Sequence, residues 1–284
     1  MLYGVAQCVA QRKSLSLCGQ AVAVQAFGLK SELQKDFSGT LRRVAEMGYR
    51  EVELCSFKGF AGDALRGDFG KLSNMEAVEV RTALADAGLA VRSCQFKPEE
   101  LEESQVDATL EWADTLGIKY FALLDVYFAG QEWQPTFDRL NDFGERLRTH
   151  GLQLALHTGN DFWTRSKKET AFDAFLREVT PEHCSIELDL SATLLNGIDA
   201  GECMSSHPDR FCAVHLRDGK KPVEQARWIP SLPLGEGEID FTSVLSGAQK
   251  AGVTNYIVEM AVFPPVDPIE ALQKSAEFIR SLSG

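Results

Sequence analysis

In the stretch RFCAVHLRDGK, Arg210 to Lys220, an apolar run ends on a histidine, an arginine and an aspartate. The same kind of ending recurs along the chain. IELDL closes on Glu187 and Asp189, ALHTGND on His157 and Asn160, YIVEM on Glu259, EVELCSF on Glu53, VRSCQF on Gln95 and FALLD on Asp125. Placing such groups at the ends of buried strands without partners costs several kcal/mol each. A shared cation removes that cost, and mixed carboxylate and imidazole donors suit Mn²⁺, Zn²⁺ or Co²⁺ better than Ca²⁺. Asp189, His215 and Glu259 stand out, because each ends or interrupts an apolar run on successive strands. Neighbouring strands lie about 4.8 Å apart, so three such side chains can reach one ion. A single strand-end histidine has a plainer alternative, a hydrogen-bonded structural role. Glu53 has two readings, one inside the sheet and one against a Lys or Arg on a covering helix. Cys55 and Cys94 read as core.

These endings need elements that bring them together. In RRVAEMGYREVEL, RTALADAGLAVRSC, EWADTLGIKYFALL, ERLRTHGLQLALH and SGAQKAGVTNYIVE, a helical apolar spacing stops at a glycine and a strand-like run follows at once. Glycine suits the left-handed position that closes a helix, and β-branched or aromatic residues favour extended backbone after it. The repeated unit is helix, tight turn, strand. Strands are expected near 21–27, 50–55, 89–95, 118–124, 152–157, 184–189, 210–216 and 253–259, with a last helix from Pro268 to Ser281. Strands joined through helices run parallel, and eight of them in this length predict a single-domain α/β fold, the closed (β/α)8 TIM barrel. An open doubly wound sheet lacks support, because GEGEID has neither the preceding strand nor the glycine spacing of a phosphate loop. In a barrel all carboxyl ends of the strands open on one face, where active sites form. The segment 219–238, with Trp228, Pro230 and Pro233, is long enough to serve as a lid or wall of that face.

Composition narrows the partners. The chain has 284 residues, of which 44% are hydrophobic and 25% charged, which suits a folded core rather than disorder. A formal net charge of −12 argues against nucleic acid as a partner. No apolar run is long enough to span a bilayer, and the order of apolar and basic residues near the start is wrong for a signal peptide. Residues 1–20 read as an extension, and 21–284 as the barrel of a cytoplasmic protein. Seven cysteines without a C-x-x-C pair suggest neither a disulfide framework nor a zinc knuckle.

VAVQAFGLKSELQKDFSGTLRRVAEMGYREVEL, LALHTGNDFW, ELDLSATLLNGIDAGE, VHLRDGK and LGEGEIDFTSVLSGAQKAGVTNYIVE together resemble the sugar phosphate isomerase/epimerase family of xylose-isomerase-like barrels. The resemblance covers nearly everything from Ala21 onward. It implies a divalent metal at the barrel mouth, held by Asp189, His215 and Glu259, and proton transfer beside a sugar carbonyl. It also implies that Arg217, where related sequences often carry lysine, contacts substrate oxygens. Strand five departs from the pattern. Epimerases of the family use a glutamate there as ligand and base, whereas this chain has His157. A related group reads Tyr-His-Asn-His followed by Glu-Phe, against which this chain has Gly159 at the second histidine and Phe162 at the glutamate. Ala192 stands where that group often has tryptophan.

The resemblance thus implies a metal-dependent isomerase, epimerase or related lyase acting on a sugar, keto-sugar or cyclitol. Glu259 is the expected base, and His157 a second acid/base or a fourth ligand. If His157 binds metal, one proton carrier remains, which favours elimination or one-base isomerisation over two-base epimerisation. Glu53, Arg217, Asn160, Trp163 and Trp228 are the expected substrate contacts. Either tryptophan has packing on an outer helix as its alternative. The rival reading is a non-catalytic carbohydrate-binding barrel that lost the strand-five glutamate. A DNA-repair endonuclease of the same superfamily would need more metal ligands and a basic face. Pairing into a homo-oligomer through surface helices is also expected of such barrels.

Overall fold

The computed structural model describes residues 13–59, 69–124, 126–128, 132–163, 165–166, 169–222, 229–260 and 267–282. Eight parallel strands form a closed barrel: β1 (Gln20–Gln25), β2 (Glu51–Cys55), β3 (Ala90–Phe96), β4 (Tyr120–Leu123), β5 (Gln153–His157), β6 (Cys184–Asp189), β7 (Phe211–Leu216) and β8 (Asn255–Val258). Each pairs with the next in sequence, and β8 pairs back onto β1, so the sheet has no free edge. Each expected strand is present, trimmed by a residue or more at one or both ends in all but β6.

Between the strands run α1 (Phe37–Glu46), α2 (Ala77–Ala87), α3 (Val106–Leu116), α4 (Gln134–Thr149), α5 (Ala171–Glu178), α6 (Leu190–Asn196), α7 (Ala200–Ser205), α8 (Phe241–Lys250) and a closing α9 (Pro268–Leu282). Their ends follow local chemistry. Asp36 accepts from the Gly39 amide at the start of α1, and Asp240 accepts from Thr242 and Ser243 at the start of α8. Gly88 and Gly117 close α2 and α3 in the left-handed conformation, which lets the chain turn straight into β3 and β4.

The alternation of each strand sorts its residues into two environments. Val22 and Val24, Leu154 and Leu156, Val214 and Leu216, and Tyr256 and Val258 face outward into the main apolar core beneath the helices. Ala23, Ala155, Ala213 and Ile257 face inward and form a small plug across the barrel, joined by Cys212. One more step of two along each strand reaches Gln25, His157, His215 and Glu259, so the polar ladder sits inside, directly above the plug. Residues placed in the expected extension also join the fold. Ser16 and Leu17 pair antiparallel with β1, and Leu15 and Leu17 are buried. Secondary structure is thus described ahead of Ala21, and residues 1–12 lie outside the described residues. Among the described residues no helix is long and apolar enough to cross a membrane.

Candidate metal and active site

The interior polar groups form two tiers. The lower tier centres on His215, which has no solvent exposure. Its Nε2 is 2.9 Å from Glu53 Oε1, and its Nδ1 is 3.0 Å from Glu259 Oε2. Glu187 Oε1 lies 3.1 Å from the same Nε2 without hydrogen-bond geometry. Burial opposes the imidazolium charge, but the carboxylates of Glu187 and Glu53 outweigh it and hold His215 protonated well above the ordinary histidine range. Burial would likewise raise Glu53, yet the His215 charge beside it keeps that carboxyl below its usual range. Glu187 goes the other way: burial, then the Glu53 anion, push it up to about 7.

The upper tier faces solvent through a cleft of about 200 Å³, whose lining includes Tyr127, His157, Asn160, Asp189, Ser191 and Arg217. Asp189 ends β6 and begins α6. Its Oδ1 accepts from the amides of Ser191 and Ala192 at 2.6 and 3.2 Å, capping the helix, while its own amide donates to Thr158 Oγ1 at 2.9 Å. That leaves Oδ2 to the cleft, where it meets Arg217 Nη1 at 2.7 Å and stands 3.9 Å from His157 Nε2. Arg217 also brings its Nε to 3.8 Å from Glu259 Oε2. Burial would raise the Glu259 carboxyl, but Arg217 first and His215 second hold it down at about 2. Burial, then the charge on His215, depresses His157 to about 4, so its imidazole is neutral at physiological pH.

These donors fit a divalent ion. His157 Nε2 is buried with no hydrogen-bond partner, on a neutral imidazole whose ring nitrogen stands 3.9 Å from Asp189 Oδ2. Ligand atoms of His157, Asp189 and Glu259 lie within 4.8 Å of one another, as do those of a deeper set, His157, Glu187 and His215. His157 belongs to both sets, and the rings of His157 and His215 meet edge to face at 4.8 Å between centroids.

The residues singled out from the sequence divide accordingly. Asp189, His215, Glu259, His157 and Arg217 converge, and Asn160 lines the cleft. Glu53 takes the interior of its two readings, but it sits beneath His215 with no exposure and does not reach the cleft as a substrate contact. Trp163 is buried against Phe172 and Phe162, which is packing rather than a sugar-stacking position. Its place under the surface follows from the apolar cluster it joins. Trp228 and Asp125 lie outside the described residues. Asp218, next to Arg217, is an anchor. Its carboxylate accepts from the amides of Gly219, Gly235, Gly237 and Ile239 and so pins both ends of the segment after β7. Glu187 was visible as a strand-end acid, and alternation from Asp189 was the signal for its inward position. Thr158 gave no signal, because its partner is a backbone amide on another strand.

Solved structures share this fold. The sugar phosphate isomerase/epimerase of Parabacteroides distasonis ATCC 8503 superposes with a TM-score of 0.74 at 21% identity, over 92% of this chain and 97% of that one. The IOLI protein, solved with a bound zinc atom, superposes with a TM-score of 0.65 at 14% identity, over 92% of this chain and 97% of that one. The inosose dehydratase of Geobacillus thermodenitrificans (strain NG80-2) is 25% identical over 171 residues, 55% of this chain and 57% of that protein. The chain thus spans little more than half the length of the curated relatives it matches. A family model described as xylose isomerase-like TIM barrel matches residues 41–282, and the chain belongs to that family.

Proposed function

We propose that the protein is a metal-dependent lyase or isomerase acting on a cyclitol, keto-sugar or sugar through removal of a proton next to a carbonyl. The observation that carries the reading is the convergence of the unpartnered His157 Nε2 with Asp189, both lining a solvent-reaching cleft, and with Glu259 just beneath, their ligand atoms within 4.8 Å of one another. Asp189, Glu259 and His157 would hold a divalent ion such as Mn²⁺, Zn²⁺ or Co²⁺. His215 would join them by exchanging its Nδ1 bond to Glu259. When bound, the ion supplies Lewis-acid polarisation of a carbonyl and the hydroxyl beside it.

The protein's own groups do the rest. Glu259 is ionised and takes the proton from the substrate carbon. Arg217, reaching the cleft from the end of β7, holds substrate oxygens, and Asn160 lies within the same wall. Strand five contributes an imidazole where a two-base epimerase needs a carboxylate. With the free nitrogen of His157 spent as a ligand, Glu259, which has a second oxygen when one binds the ion, is the one proton carrier: it would take the proton from carbon and either hand it to the departing hydroxyl, completing loss of water, or return it to the neighbouring carbon in a one-base isomerisation. The likeness to inosose dehydratases supports the same direction.

The test is to strip the purified protein of metal, reload it with Mn²⁺, Co²⁺ or Zn²⁺, and follow a panel of inososes and free ketoses by NMR. Expected is one equivalent of metal and metal-dependent loss of water from a keto-cyclitol. Epimerisation of a ketose with solvent proton exchange at two faces would overturn the one-base reading. Sugar binding without metal or turnover would instead identify a carbohydrate-binding barrel.

A further inference from the structure

We propose that Arg217 is the resident counter-cation of the metal-free site, so that loading the metal is an exchange in which the guanidinium gives up Asp189 Oδ2 and is released toward substrate. The inference rests on the metal reading above. It starts from the accounting of Asp189. One of its oxygens is committed to the amides of Ser191 and Ala192, where it begins α6. The other is the oxygen that a cleft ion would have to take, and Arg217 Nη1 already holds it at 2.7 Å. The same guanidinium reaches toward the second acid, with Nε 3.8 Å from Glu259 Oε2. It therefore bridges the two carboxylates that would carry an ion.

The bridge satisfies a charge problem that the fold creates. Asp189 and Glu259 are both buried, and alternation on β6 and β8 turns both of them inward. Without a cation between them they repel in a medium that screens poorly. An arginine does this where a lysine does not, because its planar fork offers several donors at fixed spacing while an ammonium is a single point charge. The bridge is also incomplete. Arg217 Nε has no hydrogen-bond partner although it is buried, so the guanidinium is held firmly by one acid and loosely by the other. Arg217 lines the cleft, so the group has room to turn outward once an ion takes Oδ2. There it becomes the donor set for substrate oxygens. Metal occupancy and substrate capture are in this way coupled through one side chain.

The test uses the full chain, stripped of metal, titrated with Mn²⁺ by calorimetry and by loss of the free Mn²⁺ EPR signal. Arg217→Gln is expected to bind Mn²⁺ at least about tenfold more tightly than the unchanged protein, since no resident cation has to leave. Arg217→Lys separates exchange from a mere field effect. It keeps the charge but loses the fork, so exchange predicts several-fold tighter binding, whereas a simple field predicts no change. Metal-free Arg217→Gln should also melt at a lower temperature than the unchanged protein and gain more from Mn²⁺. If the unchanged protein binds Mn²⁺ and the variants bind it equally or more weakly, the exchange is overturned and the metal reading stands. If none of the three binds Mn²⁺, both readings fall together.

Discussion

His157 and His215 stand 4.8 Å apart, centroid to centroid, on the inner wall of one barrel, and they prefer opposite charge states. His215 is fully buried and the His157 side chain only 11% exposed, so burial alone cannot explain the difference. His215 in the lower tier has Glu53, Glu187 and Glu259 against its two nitrogens, and these acids keep it charged. His157 in the upper tier has one acid within 4 Å, Asp189, and that acid is already claimed by Arg217. Burial and the charge on His215 therefore prevail over the acids, so His157 stays neutral, and its Nε2 has no hydrogen-bond partner. A histidine's role in such a barrel is therefore set by how its neighbouring acids are already employed. The lower tier is a dense hydrogen-bonded and ionic network, and the upper tier holds the unpartnered nitrogen of His157.

The strongest way to break this division is Glu259→Gln, because Glu259 serves both tiers. Turnover on whichever substrate the panel identifies should fall by about 10²- to 10⁴-fold, the range for loss of a positioned proton carrier. A variant that retained turnover within a few-fold would remove Glu259 from the chemistry. Next in size is Glu53→Gln, which acts directly on the lower tier and reaches the upper one only through His215. Taking one partner from a buried ion pair costs about 3–5 kcal/mol, measurable as a lower urea midpoint of the metal-free protein. Through His215 it should also weaken Mn²⁺ binding by about 10- to 100-fold, as loss of an outer partner of a ligand does. Unchanged stability would mean that Glu53 is not paired as described.

Asp218→Asn tests the anchor beside Arg217. Asparagine keeps one acceptor oxygen for four amides, so a loss of about 1–3 kcal/mol is expected. Hydrogen exchange should quicken at residues 219–222 and 229–239, while β7 and β8 stay protected. Equal protection of the segment in both proteins would deny Asp218 this role.

The smallest effect is on pH dependence in the metal-free protein, and it separates the two histidines most cleanly. His157 is depressed to about 4 in the folded chain. Between that value and its unfolded value of about 6.5, the unfolded chain binds a proton that the folded chain refuses, so this group makes stability rise with pH. Glu187, raised to about 7, has the opposite slope between about 4.5 and 7, because the folded form holds the extra proton. His215, raised, keeps its proton above about 6.5, and its contribution is lost as pH rises further. Total stability mixes these slopes, so the informative quantity is the difference between the unchanged protein and His157→Asn. That difference should change by up to about 1.4 kcal/mol per pH unit between 4 and 6.5 and be flat above 7. A flat difference throughout would place His157 in an ordinary, unshifted environment.

The architecture was legible because its signals are local. A glycine such as Gly88 or Gly117 closes a helix wherever the chain goes next, and a run such as CSIELD extends for reasons contained in its own side chains. Parallel strands and their count then leave few ways to close. The acids and imidazoles at the strand ends were equally visible, and the adjacency of successive strands already put Asp189, His215 and Glu259 within reach of one another. The sequence did not reveal how those groups divide among themselves. That Glu53 faces His215 across 162 positions of chain, that Asp189 commits one oxygen to its own helix, and that Arg217 claims the other are facts of distance between strands. Trp163 shows the same limit, since only the surrounding phenylalanines decide that it packs rather than stacks on a ligand. Residue type and spacing determined which chemistry was available to this protein. Tertiary structure decided which donor is occupied and which is open, because pairing energies in a poorly screened interior change over a few ångströms that no one-dimensional pattern records.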